Sequence, residues 1–388
     1  MRIYDTTKKL YRQFNPSHTV KIYICGITPY ASAHMGHIFT FMTYDLLQRR
    51  LEDGGHEVRM VRNITDVDDP LYVKAAELNT DYISLAKTEV ASFHKVLHLL
   101  NFRPTYAEPR ASQYITEMAD SVKILLDKGY AYYVNQDIYF DTSKYPNYGK
   151  FSRYSPLLLN NLLCERGGDP FLETKRQPLD FLLWKNITDS EDAAQWQTVL
   201  GTGRPGWHIE CSVMSEIVLG DSFDIHGGGT DLIFPHHESE IAQNVALHGS
   251  PLADHWMHVA PMIMAGEKMS KSLGNMVFAM DLLKVYEPAV IRLALMHYHH
   301  HIGGEWKDDF LNDAQQLLAR VRASGKQCDD LAATKLLANV REALDDDINT
   351  LEVINVLQAF VGQASRDTVA SDQEHPLVKQ TLNLLGLV

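Results

Sequence analysis

The sequence predicts an α/β protein with a parallel sheet, an inserted segment and a helical C-terminal region. Three observations lead there. Residues 20–65 read strand, turn, helix, strand. The same alternation returns at residues 206–275, after a stretch rich in Pro, Gly and Asn. From about residue 276 the apolar spacing is helical to the end. Parallel strands joined by a helical crossover imply an α/β sheet. A chain of 388 residues is too long for one compact core and long enough for two or three domains.

The elements follow in order. Residues 1–20 read as a polar lead-in with at most one short strand. Val20 to Ile24 is a short apolar alternation, and an amphipathic run from His34 to Leu51 reads as a helix. Gly54-Gly55 breaks it, and Val58 to Ile64 reads as the next strand. Residues 71–100 carry helical spacing through Ala75, Leu78, Ile83, Leu85, Val90, Phe93, Val96 and Leu97. Residues 105–205 read as an insertion, with a helix near Ile115 to Leu126 and strand-like Tyr130 to Val134 and Ile138 to Phe140. Phe223 to His226 reads as a strand running into Gly227-Gly228-Gly229, with a helix from about Pro235. Pro288 marks a helix start. The domains are therefore expected at 1–104, 105–205, 206–275 and 276–388.

Apolar content of 45% and charged content of 22% are ordinary for a globular enzyme. The net charge of −13 disfavours strong non-specific nucleic-acid binding. No run of 18 apolar residues exists, and the polar start lacks the apolar core of a signal peptide, so a cytoplasmic protein with no membrane partner is expected. Four scattered cysteines do not form a disulfide framework. Cys164 and Cys328 have no ligand context and read as structural.

The stretch C-G-I-T-P-Y-A-S-A-H-M-G-H, Cys25 to His37, puts a thiol at a strand end and two histidines and a glycine at a helix opening. A helix opening favours phosphate. Cys25 can meet Cys211, His236 and Glu240 on one ion. Cys211 lies just ahead of a helical stretch, and His236 and Glu240, four apart, share a helix face. Two sulfurs, an imidazole and a carboxylate suit tetrahedral zinc. On spacing alone, two buried cysteines and a helix ion pair are the favoured reading. A zinc there has a use, since it can take a thiolate as a ligand and refuse a hydroxyl.

Two further motifs suit nucleotide chemistry. His34 and His37 share the first helix turn, where they can donate to an α-phosphate, and Gly36 lets a base or ribose approach. Lys268-Met269-Ser270-Lys271-Ser272 sits in a glycine-flanked loop, where ammonium groups can neutralise a leaving pyrophosphate. Alone, the first is also a capped helix and the second a solvated turn. The cluster His297 to His301 reads as a helix end rather than a metal site, because consecutive histidines point to different sides.

These two motifs resemble the signatures of class I aminoacyl-tRNA synthetases. The wider match, through Cys25 to Thr28, Arg62 to Asp66, Gly203 to Cys211, Asp224 to Glu240 and Asp345 to Thr350, is to the cysteine-activating members. The resemblance implies a Rossmann-like class I sheet with an inserted connective domain and a C-terminal helical bundle. It implies zinc on Cys25, Cys211, His236 and Glu240. Thr28, Thr40, Asn63, Thr65 and Trp207 would line a cysteinyl-adenylate pocket. Gly229, Thr230 and Asp231 would meet adenosine or the amino group, Met262 the adenine, and Lys271 the ATP phosphates, with Mg2+ accompanying ATP.

Two branches share the pattern: cysteinyl-tRNA synthetases and the mycothiol-pathway cysteine ligases, which join cysteine to a glucosaminyl-inositol amine. Glu165-Arg166-Gly167-Gly168-Asp169-Pro170, Pro29 after Gly-Ile-Thr, and only 38 residues after Thr350, with no anticodon-binding domain expected, favour the ligase. Glu240 fits the four-ligand site of the tRNA enzymes, so the acceptor stays open between a small amine and a tRNA acceptor stem. A catalytically dead binding module is a third reading, against which the intact histidines and lysines speak. His208 is the candidate base for the incoming amine, or else a support for the metal site.

Overall fold

The computed structural model describes residues 1–189, 194–264, 266–269, 274–363 and 373–388. The chain opens on an antiparallel hairpin, β1 (Arg2–Asp5) and β2 (Leu10–Gln13), where at most one strand was expected. β3 (Thr19–Ile27) follows, then α1 (Met35–Asp53) and β4 (Glu57–Ile64). The strand pattern of β3 sends Val20, Ile22 and Ile24 to one core and Tyr23 and Cys25 to the other. A parallel strand covered on both faces needs that two-sided apolar character.

The single helical stretch expected at 71–100 is two helices, α2 (Asp69–Glu77) and α3 (Tyr82–Leu99). Asn79 takes a positive φ of 50°, and Asp81 caps the second helix by accepting from the Ser84 N–H at 2.8 Å. Apolar periodicity carried on through this corner, but the cap chemistry ended it.

The insertion holds α4 (Ile115–Asp127), β5 (Ala131–Val134), β6 (Asp137–Phe140), α5 (Pro156–Glu165), β7 (Phe181–Asn186), β8 (Trp196–Thr198) and β9 (Gly201–Pro205). Its five strands form an antiparallel sheet in the order β5-β6-β7-β9-β8. Three of these strands and α5 lie where the sequence reading saw only breaks. The strands are three to six residues long, too short for a clear period, and β9 carries two glycines.

α6 (Trp207–Leu219), β10 (Phe223–Gly229), α7 (Glu238–His248) and β11 (Ala253–Val259) complete the central sheet. Short β12 (Met262–Met264) and β13 (Glu267–Lys268) follow. Then come α8 (Ala279–Leu282), α9 (Pro288–Leu295), β14 (Gly304–Glu305), α10 (Asp309–Gly325), α11 (Asp330–Asp345), α12 (Thr350–Gln363) and α13 (Pro376–Leu384).

The central sheet is parallel, in the order β11-β10-β3-β4. From β3 the chain crosses to β4 on one side; from β10 it crosses to β11 on the other. The C-terminal ends of β3 and β10 therefore flank the point where strand order reverses, which is where open α/β sheets bind ligands. No described helix is long and apolar enough to cross a membrane.

Under this sheet a buried charge cluster ties α1, α9 and the C-terminal segment together. Arg49 Nε and Arg292 Nη2 donate to Asp45 Oδ2 at 2.8 and 2.5 Å, and the Arg103 N–H donates to Oδ1 at 2.7 Å. Arg292 also donates to the carbonyls of Leu100 and Leu385, at 3.2 and 3.3 Å.

Candidate active site

Two helix openings and two strand ends converge on one cavity. β3 ends at Cys25-Gly26-Ile27, with a register break against β4 between Ile24 and Ile27. A Cβ on Gly26 would lie 1.6 Å from the Asn63 carbonyl oxygen, so this strand end needs glycine. His34 caps α1 in extended conformation, its Nδ1 accepting the Gly36 N–H at 3.1 Å. The cap fixes the tautomer: with Nδ1 an acceptor, the ring proton is on Nε2. His37, on the first turn of α1, stacks on His34 at 3.9 Å.

The cavity, of about 420 Å³, is lined by Cys25, Thr28, His34, Gly36, His37 and Thr40 on the β3–α1 side. Thr65, Trp207, Cys211, Gly229, Asp231, His236 and Met262 complete the expected lining. Arg166, Met269 and Met276 line it as well. Asn63 and Thr230, expected in the lining, are not among it. Asn63 is fully buried behind the wall; it accepts the Gly26 N–H at 2.8 Å and donates to Thr65 Oγ1 at 2.9 Å. Lys271 lies outside the described residues, and Lys268 is in β13, its backbone paired with Ile263.

At the sheet end of this cavity sit the four residues picked out as one metal set. The ligand atoms of Cys25, Cys211, His236 and Glu240 all lie within 4.8 Å of one another. Cys25 Sγ is 3.7 Å from Cys211 Sγ and 3.8 Å from Glu240 Oε1, and His236 Nε2 is 3.0 Å from the same Oε1. Cys211 is inside α6 rather than ahead of it, on the first buried turn after Gly206. His236 precedes α7 in a wider turn, Ile233–His237, and still faces Glu240. Burial, with the neighbouring Cys211 and Glu240, pushes the Cys25 thiol well above its ordinary value. Burial also holds the His236 imidazole well below its own. Neutral imidazole is the form that ligates a metal, and a bound cation is what would favour the thiolate.

Three histidines that the sequence reading passed over surround this set. His237 Nε2 approaches Cys25 Sγ at 3.3 Å, and His226 Nε2 meets Glu240 Oε2 at 2.8 Å. His237 Nδ1 continues to His258 Nε2 at 2.7 Å, and His258 Nδ1 to Thr6 Oγ1 at 2.8 Å. Cys25, His226, His237 and Glu240 thus form a second close group. Of this group only Cys25 lines the cavity, against Cys25, Cys211 and His236 of the first. A metal that must meet a ligand in the cavity fits the first set. Reading A-D-H-W-M-H-V as the strand β11 would have brought His258 into view.

His208 is not placed as a base. It is buried away from the cavity, with Nδ1 2.9 Å from His236 Nδ1, and burial lowers its pKa to about 3. It orients His236, the alternative held open above. Trp207 stacks on His236 from the cavity side, at 4.3 Å and 20°. Thr28 Oγ1 donates to Asp68 Oδ2 at 3.0 Å, and burial pushes that carboxyl up to about 6. At the mouth, Arg166 at the end of α5 donates to Asp231 Oδ2 at 3.1 Å, bridging the insertion to the sheet.

The family description "tRNA synthetases class I (C) catalytic domain" matches residues 12–316. The chain belongs to that family. This class I synthetase chain is 41% identical over 390 aligned positions to the L-cysteine:1D-myo-inositol 2-amino-2-deoxy-alpha-D-glucopyranoside ligase of Thermobifida fusca, covering 100% of this chain and 94% of that one. It is 37% identical over 399 positions to the cysteine–tRNA ligase of Klebsiella pneumoniae, covering 100% and 85%. Among solved structures, the methionyl-tRNA synthetase of Mycobacterium tuberculosis with methionyl-adenylate matches with a TM-score of 0.66 at 16% identity, over 89% of this chain and 82% of that one. At that identity the likeness carries the fold alone. The synthetase is a ligase of a family that uses ATP.

Proposed function

We propose that this chain activates L-cysteine with ATP, giving cysteinyl-AMP and pyrophosphate, and passes the cysteinyl group to the amine of a small acceptor. One observation carries the reading: a single cavity has a Cys25–Cys211–His236 wall at one end and the His34–Gly36–His37 turn at another. Relatives named as cysteine ligases of an amino-sugar inositol, at 41% identity, support the acceptor class.

Cys25, Cys211, His236 and Glu240 suit a zinc ion by donor type and by mutual spacing. When bound, such an ion would take the substrate's thiolate and refuse the hydroxyl of serine, a discrimination that pocket shape alone does not reach. The other steps belong to the chain. Trp207, flat on His236, walls the pocket that would hold the cysteine. Thr28 lines the cavity and donates to Asp68 behind it; this pair would hold the substrate ammonium. His34 Nε2–H, its tautomer set by the Gly36 cap, donates to the α-phosphate as charge builds in the in-line displacement. Lys268 and Lys271 would neutralise the departing pyrophosphate. No enzyme nucleophile is needed. The acceptor amine attacks the activated carbonyl, the C–N bond forms as the bond from carbonyl carbon to phosphate oxygen breaks, AMP leaves and the amine proton passes to solvent. The acceptor would reach that carbonyl past the Arg166–Asp231 pair.

The cysteine–tRNA ligase relative, aligned over the whole chain, favours a second reading in which the acceptor is the tRNA 3′ end. Cysteine-dependent ATP–pyrophosphate exchange tests activation. Mass spectrometry of products from cysteine, ATP and either glucosaminyl-inositol or tRNA tests the acceptor. A cysteinyl amide of the amino sugar is expected; charging of tRNA alone would replace the first reading with the second. A chain inert in exchange would be the dead binding module.

A further inference from the structure

Away from the cavity, one buried cluster has polar atoms with no hydrogen-bond partner among the described residues. His299 and His300 follow α9, and Asp347 lies in the turn between α11 and α12. All three are buried, at 9%, 3% and 2% exposure. Their ligand atoms lie within 4.8 Å of one another. The histidine run alone had read as a helix end with no common focus. The third member comes from 47 residues further on, and the fold supplies it.

The spacings decide what the cluster is. His300 Nε2 is 3.5 Å from Asp347 Oδ1, and His299 Nε2 is 3.9 Å from Oδ2. Both are too long for hydrogen bonds. Two ligands on one tetrahedral ion, with bonds of about 2.0–2.1 Å, stand about 3.3 Å apart. The Cys25 set shows the same range, from 3.0 to 3.8 Å. Both ring nitrogens of His300 and Asp347 Oδ2 are buried and have no hydrogen-bond partner among the described residues. Buried polar atoms left in this state need a reason, because each costs about 1–3 kcal/mol. Asp347 Oδ1 is held by the Tyr4 N–H at 2.8 Å and is also the oxygen nearest His300, while Oδ2 lies toward His299.

We propose that His299, His300 and Asp347 form a second metal site, for a divalent ion of the zinc class, with its remaining position open to water. Two imidazoles and one carboxylate are a donor set for such ions. His299 would bind through Nε2, carrying its proton on Nδ1, so the present 3.2 Å contact from the His301 N–H to Nδ1 would be given up. The site would clamp three segments that are distant in sequence. β1 is attached through Tyr4 and through the Asp347 N–H to the Arg2 carbonyl at 2.9 Å. The α11–α12 turn supplies Asp347, and Thr350 Oγ1 from the same turn donates to the Tyr298 carbonyl at 2.7 Å. The His300 carbonyl accepts the Ala260 N–H at 2.7 Å, next to Pro261 and Met262 of the cavity wall. The ion would thus be structural, and the site does not depend on what the chain ligates.

Metal analysis of the intact chain, saturated with zinc and then dialysed, tests it. About two equivalents are expected, one for each site. Cys211→Ala is expected to keep one equivalent, and Asp347→Asn, which preserves shape, to keep the other. Refilling with cobalt separates them: thiolate-to-cobalt charge transfer should vanish in the double variant Cys25→Ala, Cys211→Ala and persist in Asp347→Asn and His300→Gln. A wild-type chain holding a single equivalent, lost wholly in that double variant, overturns the proposal. So does a second equivalent that survives both Asp347→Asn and His300→Gln. Should the Asp347 and His300 variants fail to fold, the double cysteine variant decides alone: bound metal supports the site, and metal-free protein refutes it.

Discussion

Two of the molecule's deeply buried clusters of ionisable side chains solve burial in opposite ways. Around Asp45, Arg49 and Arg292 every charge meets an opposite charge or a carbonyl. Around Cys25, burial instead favours the neutral Cys25 thiol and the neutral His236 imidazole, and the ligand atoms of Cys25, Cys211, His236 and Glu240 crowd together with no cationic side chain among them. A closed cluster of charges fixes helices in place. An open cluster of ligand atoms waits for something from outside the chain. The contrast separates scaffold from site without reference to any relative, and it also brings out the His299–His300–Asp347 group.

Cys211→Ser is the strongest attempt to break the comparison. The metal equivalent of the Cys25 set and cysteine-dependent pyrophosphate exchange are expected to disappear together, the His299–His300–Asp347 equivalent staying, while the thermal melt stays cooperative. Activity in a variant that lacks the first equivalent would show that the open cluster is only packing.

Asp45→Ala should do the reverse. It leaves two guanidinium groups buried without a counter-charge, which costs about 3–5 kcal/mol. Urea unfolding would read the loss; a change below about 1 kcal/mol, the worth of an exposed pair, would mean that the cluster is not a scaffold.

Lys271→Ala sharpens the functional half. Exchange is expected to slow by about 10²–10³-fold, the scale for removing a donor that meets charge in the transition state. Cysteine binding, measured by calorimetry, should stay nearly unchanged. Equal losses in both would make the loop structural.

His208→Ala tests the support behind His236. Metal affinity should fall by about 10–100-fold, as for other outer partners of a ligating histidine. A competition titration with a chelator measures it, and an unchanged affinity with a slowed second step would restore His208 as a base.

Acid provides the mildest test. Burial alone would raise the Asp45 carboxyl, but Arg292 and Arg49 outweigh it and hold the group below its ordinary value. Its contribution is therefore present above the unfolded carboxyl pKa of about 3.9 and lost as pH falls through the lower folded value. Wild type should lose stability across that window, and Asp45→Ala should show a flatter profile there.

Much of this was legible along the chain. The spacing of Val20 to Ile24, the Gly54-Gly55 break and Val58 to Ile64 gave the first β-α-β unit within a few residues, because apolar period and turn chemistry agree there. Two strands of the insertion were read, but the last three were missed, since three to six residues carry too little period to read.

By itself, the sequence determined which residue types were available and where local structure would present them. It paired His34 with His37 on one helix turn and His236 with Glu240, because a helix returns to the same face every three or four residues. Only the tertiary structure could decide the long-range company: that Cys25 meets Cys211, that His208 backs His236 instead of facing the cavity, that Asn63 stands behind the wall, and that Asp347 closes on His299 and His300. Those meetings depend on strand order and on how separate segments pack, and neither leaves a period in the sequence.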